Sequence, residues 1–263
     1  MTHGAGDDLD LILSAAREAG ELAVRLRAAG LEVDYKEGNS PVTNADLAAD
    51  ALLKERLTAA RPDYGWLSEE TADNPERLGR RRLFVVDPID GTRAFLKDRP
   101  WWAVSVAVVE ETRPVAGVVV APQVGQVFAA TEGGGATLNG APIRPSDAAA
   151  LEDCAMVGDA RMFAHPSWPA PWPPMRIESR NSTAYRMCLV ASGDFDAALA
   201  LVAKADWDLA AADLIAREAG AVVSDHLGRP FSYNGPIPAQ KSLMCAAPAL
   251  APLILERVRH IAI

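Results

Sequence analysis

The segment from Phe84 to Thr92, with the sequence FVVDPIDGT, constrains this chain more than any other. An apolar run typical of a buried strand ends in Asp87 and Asp90, which lie in a predicted turn containing proline and glycine. Such a turn can direct both carboxylates, a hydroxyl and the following N–H groups to one point. Because Mg²⁺ usually combines one or two carboxylates with water and substrate phosphate, the two aspartates are candidate metal ligands. The alternative is an ordinary strand end followed by a turn.

Further acidic residues lie at the ends of other predicted elements. Glu69 and Glu70 follow a short apolar run, and Asp208 precedes a run of helical periodicity. Each has a simpler interpretation, since Glu69 fits an exposed strand end and Asp208 fits a helix N-cap. Asp46 fits a capping box that begins at Thr43. Only the joint presence of these acids indicates a metal site.

Composition excludes several classes of function. The chain has 263 residues, a hydrophobic content of 49% and a formal net charge of −9, so a basic surface for a nucleic-acid polymer is not expected. Its three cysteines, Cys154, Cys188 and Cys245, form no CxxC pair and fit free thiols in a reducing compartment. We find no signal-peptide pattern and no apolar run long enough for a membrane helix, and therefore expect a cytoplasmic protein without a membrane partner.

The hydrophobic periodicity changes from helical to alternating along the chain, which indicates a mixture of helices and strands. The predicted helices span residues 8–29, 43–60, 182–191, 208–219 and 248–260. The predicted strands span residues 64–68, 83–86, 103–109, 115–120, 126–130, 153–157, 194–201, 221–224 and 242–246. Residues 163–174 are rich in proline and predict a surface loop. We expect an N-terminal α+β sub-domain over 1–146 that carries the metal-binding motifs, and a C-terminal α/β sub-domain over 147–263 that completes the site.

These motifs together resemble the inositol monophosphatase family of lithium-sensitive, magnesium-dependent phosphatases. The segment VDPIDGT at 86–92 is similar to the central signature of that family, and WLSEE at 66–70 is similar to its glutamate motif. The segment WDLAA at 207–211 resembles its second signature, although Ala221 replaces the usual second glycine. VTNAD at 42–46 and the glycine-rich 133–140 are also similar to family segments. The resemblance covers nearly the whole chain.

The resemblance implies a fold and a set of roles. The fold would be α+β, a layered α-β-α-β-α sandwich with the site between the two halves, and some relatives of this kind are homodimers. Two to three Mg²⁺ ions would be held by Glu69, Asp87, the Ile89 carbonyl, Asp90 and Asp208. The catalytic residues would be Glu69 and Thr92, which would orient the attacking water, with Asp46 nearby. The N–H groups of Gly91 and Thr92 would bind the phosphate of a small phosphorylated substrate.

The residues that select the substrate are harder to identify from the sequence. A glutamate that contacts sugar hydroxyls in inositol phosphatases is replaced here by Leu201. The segments 204–208 and 225–234 look closer to the CysQ-type branch, which removes the 3′-phosphate of adenosine 3′,5′-bisphosphate. We therefore hypothesise a 3′(2′),5′-bisphosphate nucleotidase in which Arg180 or Lys204 contacts the second phosphate, and Asp90 and Asp208 also contact the substrate. The alternatives are an inositol-1-monophosphatase or related sugar-phosphate phosphatase, and a non-catalytic binding protein on the same fold.

Overall fold

A computed structural model describes residues 4–36, 38–166 and 168–263. The helices are α1 (Ala5–Ala29), α2 (Asn44–Ala60), α3 (Thr92–Leu96), α4 (Ala160–Phe163), α5 (Thr183–Ala191), α6 (Asp206–Ala219) and α7 (Ala251–Val258). The strands of the first half are β1 (Val33–Lys36), β2 (Ser40–Thr43), β3 (Gly65–Ser68), β4 (Arg82–Asp90), β5 (Ala103–Glu110), β6 (Arg113–Ala121), β7 (Gln126–Thr131), β8 (Gly135–Leu138) and β9 (Ala141–Pro142). Those of the second half are β10 (Ala155–Val157), β11 (Arg176–Glu178), β12 (Ala197–Ala200), β13 (Lys204–Ala205), β14 (Val222–Ser224), β15 (Ala239–Gln240) and β16 (Leu243–Ala246). Short 3₁₀ turns cover Pro75–Gly79 and Pro122–Val124.

Two sheets form the frame of the molecule. The larger sheet has the order β3-β4-β5-β6-β7-β8-β9, with β3 and β4 parallel and the following pairs antiparallel. The smaller sheet has the order β11-β10-β12-β16-β14, in which β10 is parallel to both β11 and β12. Two further antiparallel pairs, β1–β2 and β13–β15, lie outside these sheets.

Helices and sheets alternate in layers. Helices α1 and α2 cover one face of the larger sheet, where Leu53 and Phe84 belong to the same buried cluster. Helices α5 and α6 fill the space between the two sheets, and Leu209 shares a buried cluster with Cys245 of the smaller sheet. Helix α7 covers the outer face of that sheet. The predicted α+β sandwich with five layers is therefore confirmed.

Several elements begin or end away from the predicted positions. Strand β4 continues to Asp90, beyond the predicted end at residue 86, because its ladder with β5 resumes after an irregularity. The strand predicted over 194–201 is shortened to β12, since Gly193 has a φ of 79° and Ser192 bonds to Asp194 in a turn. Helix α6 starts at Asp206, before the predicted start at residue 208.

The proline-rich segment after α4 contains no regular element among its described residues and packs closely on α7. The Trp168 indole N–H donates to the Met162 carbonyl at 2.7 Å. Arg257 donates to the carbonyls of Ala170 and Pro171. The segment is therefore an ordered surface loop.

The predicted border at residues 146 and 147 falls between the strands of the two sheets, and the division into sub-domains stays a prediction. Among the described residues, no helix combines the length and the apolar character needed to cross a membrane.

Candidate active site

Strand β4 positions the first two carboxylates. Asp87 pairs with Ser105 and Asp90 pairs with Ala103, so three steps on β4 face two steps on β5. This extra residue is a β-bulge, and Pro88 lies within it because proline has no N–H to donate to the ladder. Both aspartates therefore belong to the bulged end of the strand, whereas the sequence placed them in a turn after it.

Gly91 makes the turn that follows. Its φ of 97° is in the left-handed region, and a Cβ there would lie 3.0 Å from the Ser182 nitrogen and 3.1 Å from the Trp101 carbonyl oxygen. A side chain would be strained by both the backbone conformation and the contacts. This close approach brings the start of α5 against the end of β4.

The start of α5 holds the Asp90 carboxylate. The Ser182 hydroxyl donates to Oδ2 at 2.6 Å, the Ala184 N–H donates to the same oxygen at 2.6 Å, and the Thr183 N–H donates to Oδ1 at 3.1 Å. Ser182 also caps α5 by accepting from the Tyr185 N–H. A residue of the larger sheet is thereby fixed to a helix that belongs to the other half of the chain.

Asp208 comes from α6. It is the third residue of the helix, and its carboxylate accepts from the Ala205 N–H at 3.2 Å. The predicted N-cap position is therefore wrong, because the helix begins two residues earlier. The Trp207 carbonyl accepts from the Ser105 hydroxyl at 3.4 Å, which ties this end of α6 to β5.

These three carboxylates form a cluster. One oxygen each of Asp87, Asp90 and Asp208 lies within 4.8 Å of the others. Burial raises the pKa of all three, and the neighbouring negative charges raise it further for Asp87 and for Asp208, whose pKa rises to about 7. Converging hard oxygen donors of this kind fit Mg²⁺, and a divalent cation would relieve the repulsion.

Thr92, Asp46 and the Ile89 carbonyl lie together beside the cluster. The Thr92 hydroxyl is 3.1 Å from both Asp46 Oδ1 and the Ile89 carbonyl oxygen. The other oxygen of Asp46 accepts from the Thr43 N–H and hydroxyl, which completes the predicted capping box of α2. The threonine hydroxyl is thus oriented by two acceptors.

Glu69 lies outside the cluster of three. Its carboxylate contacts Lys36 of β1, whose ammonium group is 3.0 Å from Glu69 Oε1 and 2.7 Å from Glu70 Oε1. Its charge nevertheless contributes to the raised pKa of Asp87. Burial raises the pKa of Glu70 to about 7. Sequence reasoning did not single out Lys36, since a lysine before a turn carries no chemical signal.

The two basic residues predicted for substrate binding differ in their surroundings. Arg180 stacks 4.1 Å from the ring centre of Trp101 and donates to Glu178 at 2.6 Å, so its charge is already paired. Within the described residues the Lys204 ammonium has neither a hydrogen bond nor an ion pair, and its charge lowers the pKa of both Asp90 and Asp208.

Arg186 was missed by the sequence analysis. Its Nε donates to the Arg180 carbonyl, and its terminal amino groups have no partner among the described residues. Its charge interacts with the charges of Asp90, Asp159 and Asp208. Burial is the larger effect and lowers its pKa. The available signal was one arginine in the otherwise uncharged sequence of α5.

Comparison with known proteins agrees with this geometry. Residues 8–262 match the inositol monophosphatase family. The chain is 33% identical over 234 residues to a histidinol-phosphatase of Chlorobaculum parvum, with 87% of this chain and 89% of that protein covered. It is 31% identical over 242 residues to the 3′(2′),5′-bisphosphate nucleotidase CysQ of Aggregatibacter actinomycetemcomitans, with 85% and 86% covered.

The fold comparison extends over the same length. An IMPase from Thermotoga maritima superposes with a TM-score of 0.81 at 27% identity, and the match covers 97% of each chain. The family is magnesium-dependent, which agrees with the chemistry of the carboxylate cluster. The chain belongs to the inositol monophosphatase family and is a phosphoric monoester hydrolase.

Proposed function

We propose that this enzyme removes the 3′-phosphate of adenosine 3′,5′-bisphosphate, as a 3′(2′),5′-bisphosphate nucleotidase. The observation that carries the proposal is that Arg186 and Lys204, whose charges act on the carboxylate cluster, make no direct ion pair among the described residues. A substrate with a second phosphate supplies an anion for them. The phosphate monoester of an uncharged polyol has no second anion for them once its own phosphate is bound at the cluster.

The carboxylates and one carbonyl would hold two to three Mg²⁺ ions. The proposed ligands are Glu69, Asp87, the Ile89 carbonyl, Asp90 and Asp208. When bound, the ions would lower the pKa of water and neutralise charge on the phosphoryl and leaving oxygens. Lys36 contacts Oε1 of Glu69 at 3.0 Å, so Oε2 is the oxygen that Glu69 would offer to a metal ion.

Residues beside the cluster would position the reactants. The Thr92 hydroxyl, which donates its proton toward Asp46 and the Ile89 carbonyl, would accept a hydrogen bond from the attacking water, and Glu69 would accept a second one. The N–H groups of Gly91 and Thr92 would hold the scissile phosphate. The oxygen of water would bond to phosphorus, the bond from phosphorus to the 3′ oxygen would break, and the proton that the water gives up would be balanced by the one that the 3′ oxygen takes from solvent.

The two cations also favour one of the phosphatase activities named for the relatives over the other. Histidinol phosphate carries an ammonium group, which Arg186 and Lys204 would repel. Adenosine 3′,5′-bisphosphate presents a second anionic group, its 5′-phosphate, which these cations would attract. Arg180, the first candidate from the sequence, is already paired with Glu178 and supports the site by stacking on Trp101.

The test is turnover of three substrates by one preparation. Phosphate release from adenosine 3′,5′-bisphosphate, histidinol phosphate and inositol-1-phosphate is measured with Mg²⁺ and with excess EDTA. We expect the bisphosphate to have the highest kcat/KM and EDTA to abolish release. A preference for histidinol phosphate, the second candidate because of the 33% identical relative, would overturn the nucleotidase assignment.

Variants locate the second-phosphate contact. Arg186→Met retains an apolar stem and removes the charge, and Arg180→Met is its matched control. We expect Arg186→Met to raise KM for the bisphosphate by about 10-fold or more, because hydrogen bonds to charged groups contribute about 1.5–3 kcal/mol. Hydrolysis of p-nitrophenyl phosphate, which has no second anion, should change little. Equal effects of both variants on both substrates would contradict the role of Arg186.

Three broader expectations remain part of the proposal. Inhibition by lithium is an expectation from the resemblance to the family, and a homodimer is the expected assembly if the chain resembles the many dimeric relatives and not the monomeric ones. A cytoplasmic location is supported by Cys154, Cys188 and Cys245, which are buried free thiols.

A further inference from the structure

An apolar pocket lies beside α4, outside the carboxylate cluster. Its volume is about 420 Å³, and it is lined by Met162, His165, Trp168, Leu201, His260 and Ile261. This volume is within the range of small-molecule sites, about 300–1,000 Å³. The described aromatic and aliphatic walls offer no carboxylate to a sugar hydroxyl or an ammonium group.

The topology places this pocket at the same edge of the smaller sheet as the active site. Strands β10 and β12 are parallel neighbours with Val157 opposite Ala198, so the residues that follow both strands leave the sheet together. A Cβ on Gly158, directly after β10, would lie 3.5 Å from the carbonyl oxygen of Leu199 in β12, so the ends of the two strands are in contact. The chain continues from β10 to Met162 and from β12 to Leu201.

Charges connect the pocket to the carboxylate cluster. Asp159 precedes α4 and interacts with Arg186, which also faces Asp90 and Asp208. Leu201 is followed by Lys204, whose charge acts on the same two aspartates. Both cations therefore interact with the carboxylate cluster, and each is connected to the pocket, Arg186 through Asp159 before α4 and Lys204 through the short segment after Leu201.

We propose that this pocket binds the nucleobase of the substrate, with Trp168 and Met162 packed against the ring. The inference rests on the proposed nucleotidase function, and it adds the part of the substrate that the carboxylates and cations do not contact. A nucleoside bisphosphate carries two phosphates and a flat base on one ribose, and the carboxylate cluster, the two cations and the apolar pocket offer one subsite for each of these three groups. Leu201 gives the base an apolar wall where a sugar-binding carboxylate would be out of place.

Trp168 is held in position to serve as a wall. Its indole N–H donates to the Met162 carbonyl, and its ring meets Trp172 edge to face at 5.3 Å. Phe163 packs on the far side of Trp172, with ring centres 5.2 Å apart. A rigid aromatic side chain of this kind loses little entropy when a base stacks on it.

The experiment compares adenosine 3′,5′-bisphosphate with its abasic analogue, 1-O-methylribose 3,5-bisphosphate. With the wild-type enzyme we expect KM to be at least about fivefold lower for the substrate with the base, because base stacking contributes about 1–3 kcal/mol. Trp168→Ala and Met162→Ala should remove most of this difference while KM for the abasic analogue changes little. Trp168→Phe retains a ring and should restore part of the preference.

The possible failures are distinguishable. If the wild-type enzyme hydrolyses neither bisphosphate in Mg²⁺, the proposed function fails. If it hydrolyses both with the same KM, or if Trp168→Ala and Met162→Ala preserve the preference for the base, the pocket is not a base site. Light scattering on the same variants tests a second copy of the chain as occupant. A shift from dimer to monomer in Trp168→Ala with an unchanged base preference would also overturn the proposal.

Discussion

Two aspartates of the cluster differ in what surrounds each carboxylate. Asp90 accepts three hydrogen bonds from the start of α5, so its buried charge is partly compensated within the protein. Asp208 accepts one backbone N–H, and burial together with the charge of Asp90 raises its pKa to about 7. The same substitution should therefore have different effects on stability at the two positions.

Asp208→Asn should lower kcat by at least about 100-fold in Mg²⁺, because the variant loses a negatively charged ligand that would hold a metal ion at the reacting phosphate. Without metal, at pH 8 in EDTA, it should be at least as stable as the wild type, since the substitution removes a charge that burial disfavours. Asp90→Asn should lose similar activity but also about 1–3 kcal/mol of unfolding free energy, because its NH₂ group cannot accept from the N–H groups of α5. Urea denaturation of the metal-free proteins measures this, and equal destabilisation of the two variants would contradict the assignment.

At the scale of elements, the sequence predicted some strand and helix boundaries, whereas contacts between elements could not be predicted from it. The apolar run before Asp87 predicted β4, and Thr43 with Asp46 predicted the start of α2, because both depend on residues close in sequence. The bulge in β4 could not be predicted, since it depends on the register with β5. The Lys36 contact with Glu69 was equally inaccessible, because it joins residues far apart in the chain.

The contact between β6 and α6 gives a prediction about packing. A Cβ at Gly117 would lie 2.9 Å from the Ala211 carbonyl oxygen and 3.1 Å from the Ala211 Cα, both of which are backbone atoms. Gly117→Ala should therefore lower the unfolding free energy by about 1–3 kcal/mol, because α6 must move away from the sheet. Urea denaturation monitored by tryptophan fluorescence checks this value.

Gly6→Ala is the matched control for this prediction. Gly6 lies in the first turn of α1, and a Cβ there would meet no atom within 4 Å. The control should be neutral or stabilising by up to about 1 kcal/mol, because alanine loses less backbone entropy than glycine in a helix. Similar destabilisation by both substitutions would show that the space between β6 and α6 does not limit the packing.

At the scale of the whole molecule, the layers are joined by polar contacts as well as by apolar clusters. The buried Tyr233 hydroxyl donates to Asp213 of α6 at 3.0 Å, and its backbone N–H donates to the carbonyl of Thr112 beside β6 at 3.0 Å. The other carboxylate oxygen of Asp213 accepts from Nε of Arg217 at 2.9 Å. Tyr233 therefore joins α6, through its hydroxyl, to the turn between β5 and β6 of the larger sheet, through its backbone N–H.

This network should make the stability of the molecule depend on alkaline pH. Burial, and then the charge of Asp213, raise the pKa of Tyr233 well above its usual value of 10.0. Above about pH 10 the unfolded tyrosine loses its proton while the folded one retains it, so the folded state binds one more proton. The unfolding free energy must then fall by about 1.4 kcal/mol per pH unit for this group. Tyr185, with a pKa raised to about 12 by burial, contributes a second decrease of the same sign.

Tyr233→Phe, measured by urea denaturation between pH 9.5 and 11, should be less stable than the wild type at the lower pH, because Asp213 loses a donor. Its slope with pH should be shallower by about one proton. An unchanged slope would mean that Tyr233 ionises as readily in the folded molecule as in the unfolded chain, and that the contact between the two halves does not exclude water from this hydroxyl.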